Sequence, residues 1–118
     1  LKNKNISCFL AYSEKELAGY VMLKPNSHLS LPLYKKQTEI ARIYVLQKFQ
    51  QLKIGWQLIN KAIDFSKQNE FKIVWLGVWS ENGKAINFYK RVGFKIFSEH
   101  IFMLGNEEQK DYLMKLNL

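Results

Sequence analysis

A chain of 118 residues, 47% hydrophobic and 24% charged, falls in the range of one globular domain with enough apolar side chains to build a core. It holds no uninterrupted apolar run of about eighteen residues, so no membrane-spanning helix is expected, and its opening residues LKNKNISCFL lack the apolar stretch and cleavage site of a secretory leader. The net charge of +8 would suit nucleic acid, but the lysines are spread along the chain and no zinc spacing, ribonucleoprotein motif or helix-turn-helix pattern accompanies them.

A cytoplasmic address without nucleic-acid or membrane partners is therefore expected. The single cysteine, Cys8, cannot form an internal disulfide, and its apolar, alternating surroundings predict a buried thiol. Two separated histidines, His28 and His100, have no partners at ligand spacing, so no metal is expected. The chain starts at Leu1 and enters an apolar run almost at once, which suggests an upstream segment.

ISCFLAY alternates in the manner of a strand, SEKELAG supplies a polar turn, and GYVMLK continues as a second strand, so residues 6 to 24 read as an antiparallel hairpin ended by Pro25. PNSHLSLPLYKKQ, with both prolines, reads as an irregular loop. TEIARIYVL is the next strand, rich in β-branched and aromatic residues. Past FQQLKIG the apolar period lengthens to about 3.6: Ile54, Leu58, Ala62 and Phe65 form one stripe that Ile59 and Ile63 widen, which predicts an amphipathic helix ending near Gln68.

KIVWLGVW is too continuously apolar for a half-exposed strand and reads as a central one, with Trp75 and Trp79 as packing residues. SENGKAINFYKRVGF predicts a second helix, capped by Asn82 or Ser80, with Ala85, Ile86, Tyr89 and Val92 inward and Gly93 as its stop. FKIFSEHIFML and DYLMKLNL read as closing strands around the turn GNEEQK. Strand, helix and strand over residues 38 to 79 imply a parallel crossover between antiparallel hairpins. The expected architecture is a single α/β (α+β) domain over residues 1 to 118, with a mixed, mostly antiparallel sheet and helices packed on it.

The loop Gln50-Gln51-Leu52-Lys53-Ile54-Gly55 stands between a strand and a helix. A helix start leaves backbone N–H groups without partners and carries partial positive charge, so it can hold a diphosphate. The loop lacks the Gly-Lys-Ser/Thr ending of a Walker motif and the three glycines of a dinucleotide fingerprint, which argues against nucleotide hydrolysis and hydride transfer. Asn82-Gly83-Lys84-Ala85 followed by Phe88-Tyr89-Lys90-Arg91-Val92-Gly93-Phe94 forms a second motif.

Together the two motifs resemble the GCN5-related N-acetyltransferase family. Its acetyl-CoA loop follows Arg/Gln-x-x-Gly-x-Gly/Ala, which Gln50, Ile54 and Gly55 match and Lys53 breaks, and its second signature is Asn-x-x-Ala-x-x-Phe-Tyr-x-x-x-Gly-Phe. Through EIARIYV, WLGVWSEN and MLGNEEQKDYLM the chain is similar to PaiA-like spermidine/spermine acetyltransferases. The resemblance implies acetyl-CoA as cosubstrate, without a metal, and a small-molecule amine acceptor such as a polyamine. Its alternatives are a non-catalytic CoA-binding or regulatory module and an acetyltransferase acting on protein N-termini or lysines. A homodimer is one assembly it allows.

Family members place a strand and two helices before the first hairpin. The resemblance therefore implies an N-terminally incomplete fold with an open acceptor side.

By the same resemblance, backbone groups of Ile43, Tyr44 and Val45 would meet the acetyl and pantetheine portions. Residues Gln50, Gln51, Leu52, Lys53, Ile54 and Gly55 would hold the diphosphate, with Trp56 as a further cofactor-binding residue. Asn82, Ala85 and Tyr89 would line the cofactor, with the Tyr89 hydroxyl as general acid toward the leaving thiolate. A phenol of pKa about 10 is protonated at neutral pH and suits that role. Glu39 is the carboxylate expected to take the amine's proton. At Lys53 two outcomes stand open: a strained left-handed backbone with a β-carbon in the diphosphate's space, or an ammonium that attracts the phosphates from an unstrained one.

Overall fold

The computed structural model describes residues 6–25 and 36–118, except for the side chains of Gln51 and Leu52. Most of the expected loop over residues 25 to 37, with His28, lies outside the described residues. Strand β1 (Ser7–Ser13) and strand β2 (Glu16–Pro25) form the first hairpin, followed by β3 (Gln37–Val45), a short 3-10 segment (Gln47–Leu52), helix α1 (Ile54–Gln68), β4 (Ile73–Trp79), helix α2 (Gly83–Val92), β5 (Lys95–Leu104) and β6 (Glu107–Asn117). The strands form one sheet in the order β1-β2-β3-β4-β6-β5, mostly antiparallel with one parallel pair. This is the mixed fold expected from the sequence.

The chain divides into two compact units, one comprising the described residues up to Val74 together with Leu118, the other Trp75–Asn117. In the first unit, α1 covers one face of the opening strands. Ile54, Leu58, Ile59, Ala62 and Ile63 are buried along it, and Phe9 of β1 meets Phe65 edge-on at 5.4 Å. Val21, Leu23 and Ile40 belong to the same core. Each such side chain withdrawn from water contributes roughly 1.5–3 kcal/mol, so the apolar stripe and not helix propensity holds α1 in place. Ser66 is buried on the same helix because its hydroxyl donates to the Ala62 carbonyl at 2.8 Å. In the second unit the core holds Trp75, Leu76, Val78, Ile86, Tyr89, Phe94 and Met114.

Four expectations change, the first at Trp79, which is about half exposed where packing was expected. Cys8 is exposed, not buried: it pairs in register with Met22, whereas its neighbour Phe9 pairs with Val21 and turns toward α1. Pleating therefore sends the thiol to the opposite face. The first turn is only Glu14 and Lys15, both with positive φ (49° and 73°), the twist that a two-residue hairpin demands. The last turn likewise shrinks to Gly105 and Asn106, with Gly105 at φ 64°, and β6 takes in the polar residues Glu107 to Lys110 because they stand at the exposed or half-exposed end of that hairpin.

Candidate functional site

The first unit carries the strand end and loop singled out above. Thr38 to Ile40 pair with β2 in regular antiparallel register, then the register shifts: Leu23 faces Ile40 and Met22 faces Arg42, leaving Ala41 as an extra residue. This bulge flips the faces of everything after it. Ile43, opposite buried Val21, turns toward the α1 side, while Tyr44 pairs with Tyr20, ring centroids 6.1 Å apart, on the other. Glu39, opposite Lys24, is half-buried and shares the face of Tyr44. Strict alternation would have put Glu39 with Ile43 and apart from Tyr44. The structure does the reverse.

At the end of β3 the backbone of β2 comes unusually close. A β-carbon on Gly19 would lie 2.4 Å from the Tyr44 carbonyl oxygen and 3.1 Å from the Val45 Cα. Only glycine fits, and the approach fixes the height of the Tyr44–Val45 peptide. Sequence reasoning missed this residue, although a lone glycine inside a strand pattern is the signal for such contact.

Beyond Val45 the chain turns through the 3-10 segment, held by the Leu46 amide donating to the Ala18 carbonyl at 2.8 Å and the Phe49 amide to the Leu46 carbonyl at 2.9 Å. The Gln50 side-chain amide donates back to the Val45 carbonyl at 3.3 Å, and Phe49 is buried beneath. Lys48 is engaged by Glu16. The segment thus delivers the chain at a fixed position to the start of α1.

Lys53 is the N-cap of α1, exposed and left-handed at φ 60°, ψ 24°. Of the two outcomes open at this position, the structure shows the left-handed backbone. The Lys53 side chain makes no capping bond, and the first turn of the helix contains no acidic residue. Its leading amides, those of Ile54 and Gly55 among them, therefore face the helix's positive pole without a side-chain acceptor supplied by the N-cap. Trp56, on the first turn, is about half exposed; its carbonyl accepts from the Asn60 side chain at 2.8 Å.

The second unit carries the other motif. Asn82, not Ser80, caps α2, its Oδ1 accepting from the Ala85 amide at 3.2 Å. The Ala85 N–H is thus used within the helix. Ile86 and Tyr89 are buried, Ala85 and Val92 half-buried, and Gly93 ends the helix at φ 123°. The Tyr89 ring lies 5.5 Å from Phe88 and 5.9 Å from Phe94, both centroid to centroid. Burial away from water opposes ionisation and pushes its phenol above the ordinary value, so this hydroxyl is a proton donor throughout the neutral range. Asn82, by contrast, is exposed.

Residues 1–94 match the acetyltransferase (GNAT) family. The chain belongs to that family. It is 38% identical over 100 residues to an uncharacterized N-acetyltransferase of Lactobacillus delbrueckii subsp. lactis, covering 85% of this chain and 58% of that protein. It is 32% identical over 100 residues to an N-alpha-acetyltransferase of Sulfurisphaera tokodaii, covering 80% and 60% respectively. The chain spans little more than half of the first of these relatives.

Among solved structures, a GNAT family acetyltransferase from Elizabethkingia anophelis with acetyl-CoA bound superposes with a TM-score of 0.78 at 23% identity, over 97% of this chain and 77% of that one. A Bacillus anthracis protein in complex with acetyl coenzyme A does so with a TM-score of 0.85 at 20% identity, over 100% of this chain and 65% of that one. At those identities the likeness is one of fold.

Proposed function

We propose that this chain carries the acetyl-CoA half of an N-acetyltransferase that moves an acetyl group to a primary amine, with a polyamine such as spermidine or spermine as acceptor. The observation that carries the reading is the start of α1: a helix whose N-cap side chain makes no capping bond, without acidic residues in its first turn, in a family member whose loop keeps Gln50 and Gly55. Such a terminus suits a diphosphate. Residues Gln50 to Gly55 would hold it, and Ile43, Tyr44 and Val45 would offer their backbone to the pantetheine arm, with Trp56, Asn82 and Ala85 as further cofactor contacts.

Bound acetyl-CoA supplies an acetyl thioester; the chain supplies position and protons. The Tyr89 phenol, kept protonated by burial, is the donor to the departing sulfur. Glu39 is the carboxylate that takes a proton from the acceptor ammonium and draws that cation locally, against a chain whose overall charge is +8. Salt screens the long-range repulsion beyond about 8 Å, so nearby carboxylates govern the encounter.

A second reading, an acceptor at a protein N-terminus, is favoured by the likeness to an N-alpha-acetyltransferase. Thiol release from acetyl-CoA, followed with spermidine, with N-terminal peptides and with neither, separates the readings. Release with spermidine alone supports the polyamine. Turnover only with peptides transfers the assignment to the second reading, and coenzyme binding without turnover on either acceptor marks a binding module. Failure to bind coenzyme A overturns all of them.

A further inference from the structure

The start of β3 holds a polar group that the fold leaves unused. Among the described residues the Gln37 side-chain carbonyl, Oε1, is withdrawn from water and accepts no hydrogen bond, and Gln37 as a whole is 4% exposed. A buried oxygen in that state weakens the fold, and an apolar side chain of the same shape would not. Such an atom is kept to advantage when a ligand donates to it.

The strand decides which way it faces. Thr38 and Ile40 alternate with Gln37 and Glu39, and Ile40 stands opposite buried Leu23 on the α1 side. Gln37 therefore shares the other face with Glu39. Residues two apart on a strand are about 7 Å apart, so one small group can meet both side chains. Directly across from Glu39 stands Lys24, an exposed lysine close enough to bring a cation of the chain itself to that carboxylate. Glu39 thus answers to positive charge in general. The Gln37 carbonyl is neutral and directional: it takes an N–H and offers nothing to a methyl group.

We infer that Gln37 is a specificity-determining residue of the acceptor site, its Oε1 accepting an N–H of the amine whose proton Glu39 takes. The inference rests on the acetyltransferase reading and on the place of Glu39 in it. A primary ammonium brings one N–H to Glu39 and another to Gln37. When Glu39 removes its proton, the freed lone pair forms the new C–N bond as the thioester C–S bond breaks, and the sulfur takes its proton from Tyr89. The N–H at Gln37 stays in place throughout and steadies the nitrogen. A fully methylated nitrogen of equal charge has no such bond to give, so the site distinguishes the two where a carboxylate alone would not.

The test uses the 118-residue chain and Gln37→Met, which keeps the length of the side chain and removes both polar atoms. The probes are spermidine and an analogue trimethylated at both terminal nitrogens, equal in charge, each titrated calorimetrically with coenzyme A at saturation. Spermidine should bind the variant at least tenfold more weakly than the wild type, the trimethylated analogue should not distinguish the two proteins, and coenzyme A affinity should be unchanged. The ligand-free variant should melt at or above the wild-type temperature, because no hydrogen bond of the fold is lost. Equal loss for both probes or loss for neither overturns the assignment. A lowered melting temperature does so too, since it gives the carbonyl a partner inside the fold. If the wild-type chain holds coenzyme A but no spermidine, the polyamine reading fails and this inference with it; if spermidine binds wild type and variant alike, only the inference fails.

Discussion

Lys53 is the residue at which this chain departs from its family's loop, and replacing it by glycine separates the two physical effects it combines. A side chain at φ 60°, ψ 24° bears a steric cost of roughly 1–2 kcal/mol that glycine does not. Glycine's greater freedom in the unfolded chain returns about 0.5–1 kcal/mol of that. The net expectation for Lys53→Gly is a gain of about 0.5–1 kcal/mol, or a few degrees in melting temperature for a domain of this length. Lys53→Ala is the control: it removes the same ammonium but keeps a β-carbon in the left-handed conformation, so it should not share the gain. Urea denaturation of the three proteins measures the difference.

Coenzyme A titration calorimetry at low and high salt reads the second effect. An exposed ammonium at about 5 Å from a phosphate contributes just under 1 kcal/mol per charge in water, and the contribution is screened by salt. Both substitutions should therefore weaken binding severalfold at 50 mM salt and much less at 500 mM. Equal stabilities for the glycine and alanine proteins would refute the claim of stored strain. Unchanged affinity at low salt would remove Lys53 from the diphosphate site, whichever way stability went.

Three further outcomes follow from the geometry. Gly19→Ala places a methyl 2.4 Å from the Tyr44 carbonyl; because the obstacle is backbone, the loss should reach the upper end of the 1–3 kcal/mol range of overpacked sites, seen as a lowered urea midpoint. Asn82→Ala removes the cap of α2 and should cost about 1 kcal/mol, whereas Asn82→Asp keeps an acceptor for the Ala85 amide and should retain most of it. Tyr89→Phe should leave the fold intact yet slow acetyl transfer by about 100-fold or more in kcat. In the wild-type protein burial raises the Tyr89 pKa, so the protonated donor persists past the ordinary pKa of about 10. Its contribution to stability is full below that value and lost only as pH climbs through the higher folded-state value. An alkaline limb in kcat near pH 8 would show another group to be the acid.

Much of the fold was legible because burial writes period into sequence. The stripe from Ile54 to Ile63 marked α1 with its true end at Gln68, and the apolar run Ile73–Trp79 marked β4, because a helix or strand that meets a core must repeat its apolar residues at its own pitch. Even so, Trp79 is about half exposed where packing was expected. Turn lengths were less legible: Glu14-Lys15 lacks the glycine and asparagine that usually mark positive φ, so the pairing of Ser13 with Glu16 and not local preference fixes that turn.

The candidate site shows the same limit more sharply. Which face Glu39 and Tyr44 share is set by one extra residue, Ala41, and nothing in EIARIYV distinguishes a bulged strand from a regular one, since a bulge is a property of two strands in register. Gly19 is a similar case: its need for a bare Cα arises from Tyr44, which lies far along the chain. Motifs could therefore nominate residues, but the relative facing of those residues depends on pairing. That dependence is also why the strand that ends at Tyr44 and Val45 should respond to a methyl on Gly19: a change on β2 reaches the backbone of β3 without touching any residue of either motif.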